Sequence, residues 1–258
     1  MKPADLFSVT LENLMAHRLR AVLTTLGITI GIAAVIAVVA IGQGGRALLL
    51  FEIERMGSSR AFNIAVDIQR GEAPTADTFK MTDVAVIKEL SPAVEKLAPS
   101  TSGMWISIRR PGTRGKPVYA QLVGTTPDMT AVMNIPIASG RFLSDADVAG
   151  RNRVVVLEGG LAEALFPEGA AQSKKVFIQD TPATVIGITE KQPSQLFSAA
   201  GMNRYAFVPI TFAQDVLNTR IIQELNGVAV SEEAVTQAIA DSIKILERRH
   251  PGSSVHYK

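Results

Sequence analysis

The chain has 258 residues, enough to bury its own apolar core without a metal or disulfide staple. Its 26 Lys and Arg stand against 24 Asp and Glu, a net charge of only +2 mixed along the sequence, which gives no electrostatic footprint for nucleic acid. With no cysteine, structural disulfides, thiolate zinc sites and cysteine nucleophiles are all excluded. Mean hydropathy is positive at +0.21, and the apolar excess is concentrated before residue 50, which points to a membrane.

At the N-terminus, Phe7, Leu11, Leu14, Met15, Leu19 and Val22 share one arc of a helical wheel, while Glu12, Asn13, His17 and Arg20 take the other side. Residues 1–21 therefore predict an amphipathic helix, lying along the inner membrane surface or against a cytoplasmic partner, with Arg18 snorkelling out of the apolar arc. Residues 22–41, VLTTLGITIGIAAVIAVVAI, carry no charge, and Thr24, Thr25 and Thr29 can bond back to helix carbonyls. At about 1.5 Å per residue the run crosses roughly 30 Å of hydrocarbon. A buried core helix seldom runs this long without a polar face, and a cleaved signal peptide has a shorter apolar region, so the run reads as a transmembrane helix. Lys2, His17, Arg18 and Arg20 precede it and only Arg46 and Arg55 follow closely, which places the N-terminus in the cytoplasm and the remainder outside. Gly27 and Gly31 have G-x-x-x-G spacing, either as a face for another helix or because glycine is common in membrane helices. The GQGG at 42–45 follows a membrane helix and lacks the Lys-Ser/Thr of a phosphate loop.

The rest of the chain predicts a mixed α+β domain. Strands are expected at 62–68, 105–108, 118–123, 153–157, 175–179, 184–188, 205–210 and 227–230, with PGTRGKP joining the second to the third. Helices are expected at 82–90, capped by Thr82 and stopped by Pro92, at 161–166, and at 232–249, capped by Ser231 with Val235, Ile239, Ile243 and Leu246 on one face. Residues 62–108 and 227–258 share an order of strand, helix and strand, consistent with a duplicated βαβ-like unit around a strand-rich insertion.

No catalytic, cofactor-binding or metal-binding residue is assigned from the sequence. His17, His250 and His256 lack the spacing and companions of a metal site, and a structural or surface role is expected for them. Asp145 and Asp147 in SDAD read as a solvated helix start rather than an acid and base pair. No G-x-S-x-G elbow is present. Trp105, near Arg109 and Arg110, reads as a core tryptophan beside solvated arginines.

Several segments resemble the MacB-type, FtsX-like permeases of ABC transporters that carry a MacB-like periplasmic core domain. They are HRLRAVLTTLGITIGIAAVIAVVAIGQG at 17–44, VGTTPDM at 123–129, IASGRFLSDADV at 137–148, RVVVLEGGLAEALFP at 153–167, ATVIGITE at 183–190 and ERRHPG at 247–252. The GAAQSKK at 169–175 departs from the family's more glycine-rich approach to the next strand. The resemblance implies a cytoplasmic helix at 1–21, a transmembrane helix at 22–41, and a two-lobed extracytoplasmic domain. Its porter-like lobe of βαβ units would comprise 57–122 and 213–258, and its inserted, strand-rich sabre-like lobe 123–212. It also implies later membrane helices that a longer chain or a partner supplies. The implied function is that of a non-catalytic permease subunit in export or mechanotransmission, in the bacterial inner membrane. It would be paired with a second permease copy and driven by a partner ABC ATPase that binds the ATP, with a periplasmic adaptor as a further partner. The alternative is a membrane-anchored extracytoplasmic binding or enzyme domain acting alone.

Overall fold

The computed structural model describes residues 18–56, 59–66, 73–112, 117–167, 169, 171–191 and 204–251. Residues 1–17 of the amphipathic segment predicted at 1–21 and the predicted final strand after Pro251 lie outside them. The chain divides into two compact units, Met1–Ile53 and Glu54–Lys258.

The first unit is built on one helix, α1 (Arg18–Met56), within which Arg18–Arg46 is long and apolar enough to cross a membrane. Its backbone satisfies its own hydrogen bonds, and threonine hydroxyls follow: Thr24 Oγ1 donates to the Arg20 carbonyl at 2.9 Å, and Thr29 Oγ1 to that of Thr25 at 2.8 Å. A Cβ placed on Gly27 or Gly31 would meet nothing within 4 Å. The GQGG run is helical, as part of α1.

In the second unit, β1 (Ala61–Ala65) is followed by α2 (Met81–Leu90) and β2 (Val94–Arg109). Late in the chain come β9 (Glu224–Ala229) and α7 (Val235–Arg249). β9 lies antiparallel to β1 on one side and to the first half of β2 on the other, so β1 and β2 run parallel with β9 between them. Alternation sends Phe62 and Ile64, Leu225, and Leu97 to one face, where they bury Val84 and Ile87 of α2 and Ala238 and Leu246 of α7. Gly227 sits opposite Phe62, whose ring would lie 2.3–2.8 Å from any Cβ there, so only glycine leaves the ring its place.

Between β2 and β9 the chain forms β3 (Val118–Thr125), α3 (Met129–Val132), β4 (Ile137–Gly140), α4 (Asp145–Ala149), β5 (Val154–Leu157) and α5 (Gly159–Leu165). It continues through β6 (Lys175–Ile178), β7 (Thr181–Thr189), β8 (Tyr205–Pro209) and α6 (Ile210–Val216). The second half of β2 pairs with β3, β3 with β8, β8 with β5, β5 with β7, β7 with β6, and β6 with β2 again. The pairings therefore close into a six-stranded barrel. Each strand sends two alternate residues into it: Ile106 and Ile108, Ala120 and Leu122, Ala206 and Val208, Val155 and Leu157, Ala183 and Val185, Val176 and Ile178. α5 follows β5 and α6 follows β8, and since β5 and β8 are antiparallel the two helices leave opposite ends. Both add side chains to the barrel core, Leu161 and Leu165 from one and Phe212 and Ala213 from the other. The outer wall at Val156 and Phe207 is covered by Met129, Val132, Phe142 and Leu143.

The predicted strands and helices are present with shifted ends, and each shift has a local cause. β2 begins eleven residues before the predicted start at 105, because Pro99, Glu95 and Lys96 disguise its first half. Pro99 falls where β2 passes from β9 to β3, a place where a strand tolerates a missing N–H. β7 starts at Thr181, joined to β6 by a hairpin turn in which Gln179 takes φ of 54°. α5 starts on Gly159 and Gly160 because the Glu158 carboxylate accepts the N–H of Gly160 at 2.8 Å and of Leu161 at 3.0 Å. α7 begins at Val235 rather than 232: Ser231 Oγ accepts the Ala234 N–H and closes the turn before the helix instead of capping it.

Gly227→Ala should force the Phe62 ring from its rotamer and lower stability by about 1–3 kcal/mol. A urea midpoint equal to that of the wild type would show that the ring has room to move.

Candidate functional site

Besides Glu158 at the start of α5, two buried aspartates organise the polar structure of the second unit. The first is Asp83, in the opening turn of α2, which has no solvent exposure. Its Oδ2 accepts the Lys80 N–H at 2.7 Å, so Asp83 closes the helix start that the sequence assigns to Thr82. Arg249 Nε donates to Asp83 Oδ1 at 2.7 Å, His250 Nε2 lies 2.9 Å from Oδ2, and Arg249 Nη2 donates to Thr82 Oγ1 at 3.2 Å. Burial pushes the Asp83 pKa up, but the hydrogen bonds from Arg249, His250 and the Lys80 N–H more than offset it and hold the carboxyl below its ordinary value. The last turn of α7 is thereby clamped to the first turn of α2, cation at a C-terminus and anion at an N-terminus. His250 has a structural role here, while His17 and His256 lie outside the described residues.

The second is Asp147, and here the expectation of a solvated pair is corrected. Asp145 is exposed, but Asp147 is buried. Ser144 and Asp147 form a reciprocal cap on α4, Arg141 grips the carboxylate with Nη1 at 2.6 Å and Nη2 at 3.2 Å, and Asn152 Nδ2 donates at 3.1 Å. The Arg141 guanidinium, followed by the bonds from Ser144 and Asn152, holds this carboxyl far below the usual range despite burial. The two aspartates therefore differ in role, one fixing a single short loop and the other joining segments 167 residues apart.

A cleft of about 360 Å³ lies between α5 and the end of β7. Its walls include Ala138, Ala162, Phe166 and Ile188, and at its rim Lys191 Nζ is 2.8 Å from Glu163 Oε2. These charges are exposed and neutralise each other, so the cleft holds no buried acid and base pair. Among the described residues there is no group of three or more His, Cys, Asp or Glu placed to hold a metal ion.

Trp105 is not a core residue. Between the pairs Gly103 with Leu122 and Ile106 with Ala120, β2 carries two residues, Met104 and Trp105, against the single Gln121 of β3. This β-bulge turns both side chains outward, leaving them 62% and 61% exposed, with Tyr119 at 48% on the same side of β3. Trp105 has φ of 57°, a left-handed conformation that costs a bulky residue about 1–2 kcal/mol. The signal was in the alternation: with Ile106 and Ile108 inward, position 105 falls on the outer face. Arg109 stacks over Phe177 at 4.7 Å and pairs with Asp180 at 3.2 Å, and Arg110 lies 5.7 Å from the Phe166 ring. Both arginines thus rest on aromatic faces of the barrel rather than standing free.

The family model for the MacB-like periplasmic core domain matches residues 21–245. The chain belongs to that family. Among its relatives, the macrolide export ATP-binding/permease protein MacB of Shewanella oneidensis is 29% identical over 96% of this chain and 38% of its own length. The probable syringafactin export ATP-binding/permease protein of Pseudomonas syringae pv. tomato is 30% identical over 96% of this chain and 36% of its own. The chain thus spans somewhat over a third of the length of these relatives. Among solved structures, the periplasmic region of MacB from Actinobacillus actinomycetemcomitans superposes with a TM-score of 0.63 at 19% identity, covering 80% of this chain and 91% of that one. The extracellular domain of the noncanonical ABC-type transporter YknZ from Gram-positive bacteria gives 0.62 at 17% identity, covering 77% and 98%. The fold is therefore shared with extracytoplasmic domains of two transporters, and the resemblance read from 17–44 onward holds for the whole described domain.

Asp83 and Asp147 both have folded pKa values below their unfolded ones, so the unfolded chain binds more protons as pH falls. Their contribution to stability is complete above about pH 4 and is lost as the solution is acidified below it. Asp147→Asn should flatten that acid limb of the stability curve, as measured by urea midpoints between about pH 6 and 3. Arg249→Ala leaves Asp83 with two of its three donors and should cost about 1.5–3 kcal/mol at neutral pH. A midpoint that does not move would mean the clamp contributes nothing.

Proposed function

We propose that this chain is the membrane-anchored, extracytoplasmic part of an ABC-type permease, working in export or mechanotransmission with a cytoplasmic ATPase and a second permease copy. The observation that carries the reading is the extent of the family match, which runs through the apolar part of α1 and on across the globular unit as one stretch. The relatives are named as ATP-binding/permease proteins of export systems, and the lysine and arginine bias around the span favours a cytoplasmic N-terminus.

The physical logic is that of a connecting rod. ATP hydrolysis in the cytoplasm can do work outside only through an element that crosses the bilayer without coming apart, and α1 is continuous over 39 residues, about 58 Å at helical rise. That is nearly twice the thickness of the hydrocarbon core. Beyond it, a sheet and a barrel that share a strand move together rather than bending at a linker, so displacement of the helix is passed on as movement of a whole domain. No substrate path through this chain is required.

Purification of the full-length gene product from membranes, with mass spectrometry of what accompanies it, should recover an ABC ATPase. Its reproducible absence would favour a domain acting alone. Because residues 1–258 contain no cysteine, single substitutions within them report topology. Asp180→Cys should react with an impermeant maleimide added outside intact cells, and Lys2→Cys only after lysis. The reverse pattern would overturn the orientation.

A further inference from the structure

Among the described residues β1 is the last strand of its sheet, with β9 on one side of it. Ala229 donates its N–H to the Arg60 carbonyl at 2.9 Å, so Arg60, Phe62 and Ile64 turn their backbone groups toward β9 and Ala61, Asn63 and Ala65 turn theirs outward. An edge of this kind is a template for one more strand, and native folds cover it. The helix-side face of β1 is strongly apolar, with Phe62, Ile64 and Val66 all buried in the core under α2 and α7.

The two helices on that face end alike. The Ser91 N–H closes α2 on the Ile87 carbonyl at 2.9 Å, and the His250 N–H closes α7 on the Leu246 carbonyl at 2.9 Å. A proline follows each, Pro92 and Pro251, and stops the helix. After α2, the link Ser91, Pro92 and Ala93 leads into β2 at Val94. A link of the same length, His250, Pro251 and Gly252, leads from α7 to Ser253. The clamp on Asp83 also fixes where that link begins: the last turn of α7 lies beside the first turn of α2, at the end of the sheet where β1 finishes.

Handedness then decides the direction. α2 leads from β1 to the parallel β2, past β9. α7 shares the apolar core of α2 on the same face and packs on β1 and β9, but it starts from β9, which runs the opposite way. Crossovers between parallel strands are right-handed, so reversing the strand while keeping the helix on the same face reverses the step. The step from β9 is therefore past β1, to the open edge. Alternation sets the register. Val255 and Tyr257 join Ile64 and Phe62 on the helix side when Ser254 lies opposite Ala65 and His256 opposite Asn63.

We propose that residues 253–258 of this chain dock as an antiparallel strand on the outer edge of β1. Their backbone groups bond those of Ala61, Asn63 and Ala65, and Val255 and Tyr257 extend the apolar core under α7. Lys258 comes level with Ala61, where the chain enters the sheet, and β1 becomes an interior strand held on both sides. The inference uses the topology of the globular unit and stands separately from coupling to an ATPase.

The test is disulfide mapping in the full-length gene product, purified from membranes and exposed to a mild oxidant. In the proposed register, Ala65→Cys with Ser254→Cys brings the two Cα atoms about 5.5 Å apart, within disulfide reach, whereas Ala65→Cys with Lys258→Cys leaves them roughly 13 Å apart. The first pair should form its bond within one chain at least about fivefold more than the second, with mass spectrometry identifying the linked peptides. Lys96→Cys with Ser254→Cys, on the far side of the sheet, should form none. Hydrogen exchange of the unsubstituted protein gives a second reading. Ala61, Asn63 and Ala65 should be protected as Phe62 and Ile64 are, and His256→Pro should release the first three while the other two, and Val155 and Leu157 of β5, stay protected. A bond formed between two copies, equal yields from the two Ala65→Cys pairs, a bond to position 96, or exchange in β1 indifferent to His256→Pro would each overturn the proposal.

Discussion

The structure depends on one strand having two sets of partners. β2 is sixteen residues long, paired along its first half with β9 and along its second with β3, and it meets β6 at its end. The strand passes from one partner to the other without a gap, Ser100 opposite Glu224 of β9 and Thr101 opposite Gly124 of β3, so a pivot at the join would break ladder bonds and leave backbone groups unsatisfied. The sheet carrying α2 and α7 and the closed barrel are therefore one body, although their apolar cores are distinct. Gly124 adds to this, since a Cβ there would fall 2.1 Å from that of Ala213 and push α6 off β3 beside the join.

The buried aspartates act on top of this frame. Apolar burial is non-directional and would accept small slides of a helix over a sheet, whereas a carboxylate with no solvent exposure must keep its donors or bear a large desolvation cost. Asp83 thereby fixes where the last turn of α7 lies, and Asp147 fixes the turn between β4 and α4. For a domain whose proposed work is to be displaced as a unit, such contacts at helix ends matter more than any cleft.

The family match and the structural neighbours agree on the domain while differing widely in sequence. At 17–19% identity the barrel and its flanking sheet still superpose on the two transporter domains. What such a fold asks of a sequence is alternation with residues of about the right volume at barrel positions, and cores tolerate many solutions to that demand. The curated relatives are more than twice as long as this chain.

The sequence by itself determined the elements whose signal is local. The apolar run of α1, the alternation of Ile106 and Ile108 or Val155 and Leu157, and the helical spacing of Val235, Ile239, Ile243 and Leu246 arise from neighbours a few residues apart, although of the last set only Leu246 is fully buried and the other three pack at the edge of the core. Only the tertiary structure decided what those elements join. The first half of β2 reads as a loop because Pro99 and two charges interrupt its pattern, and only β9, more than a hundred residues later, makes it a strand. Asp83 shows its role only when Arg249 and His250 are brought to it from 166 and 167 residues away. Closure of the barrel likewise rests on a short contact between Ile108 and Ile178 for which neither segment carries a mark. Local periodicity records which face of an element is buried, but not against what, since burial lowers free energy equally well beside any apolar partner.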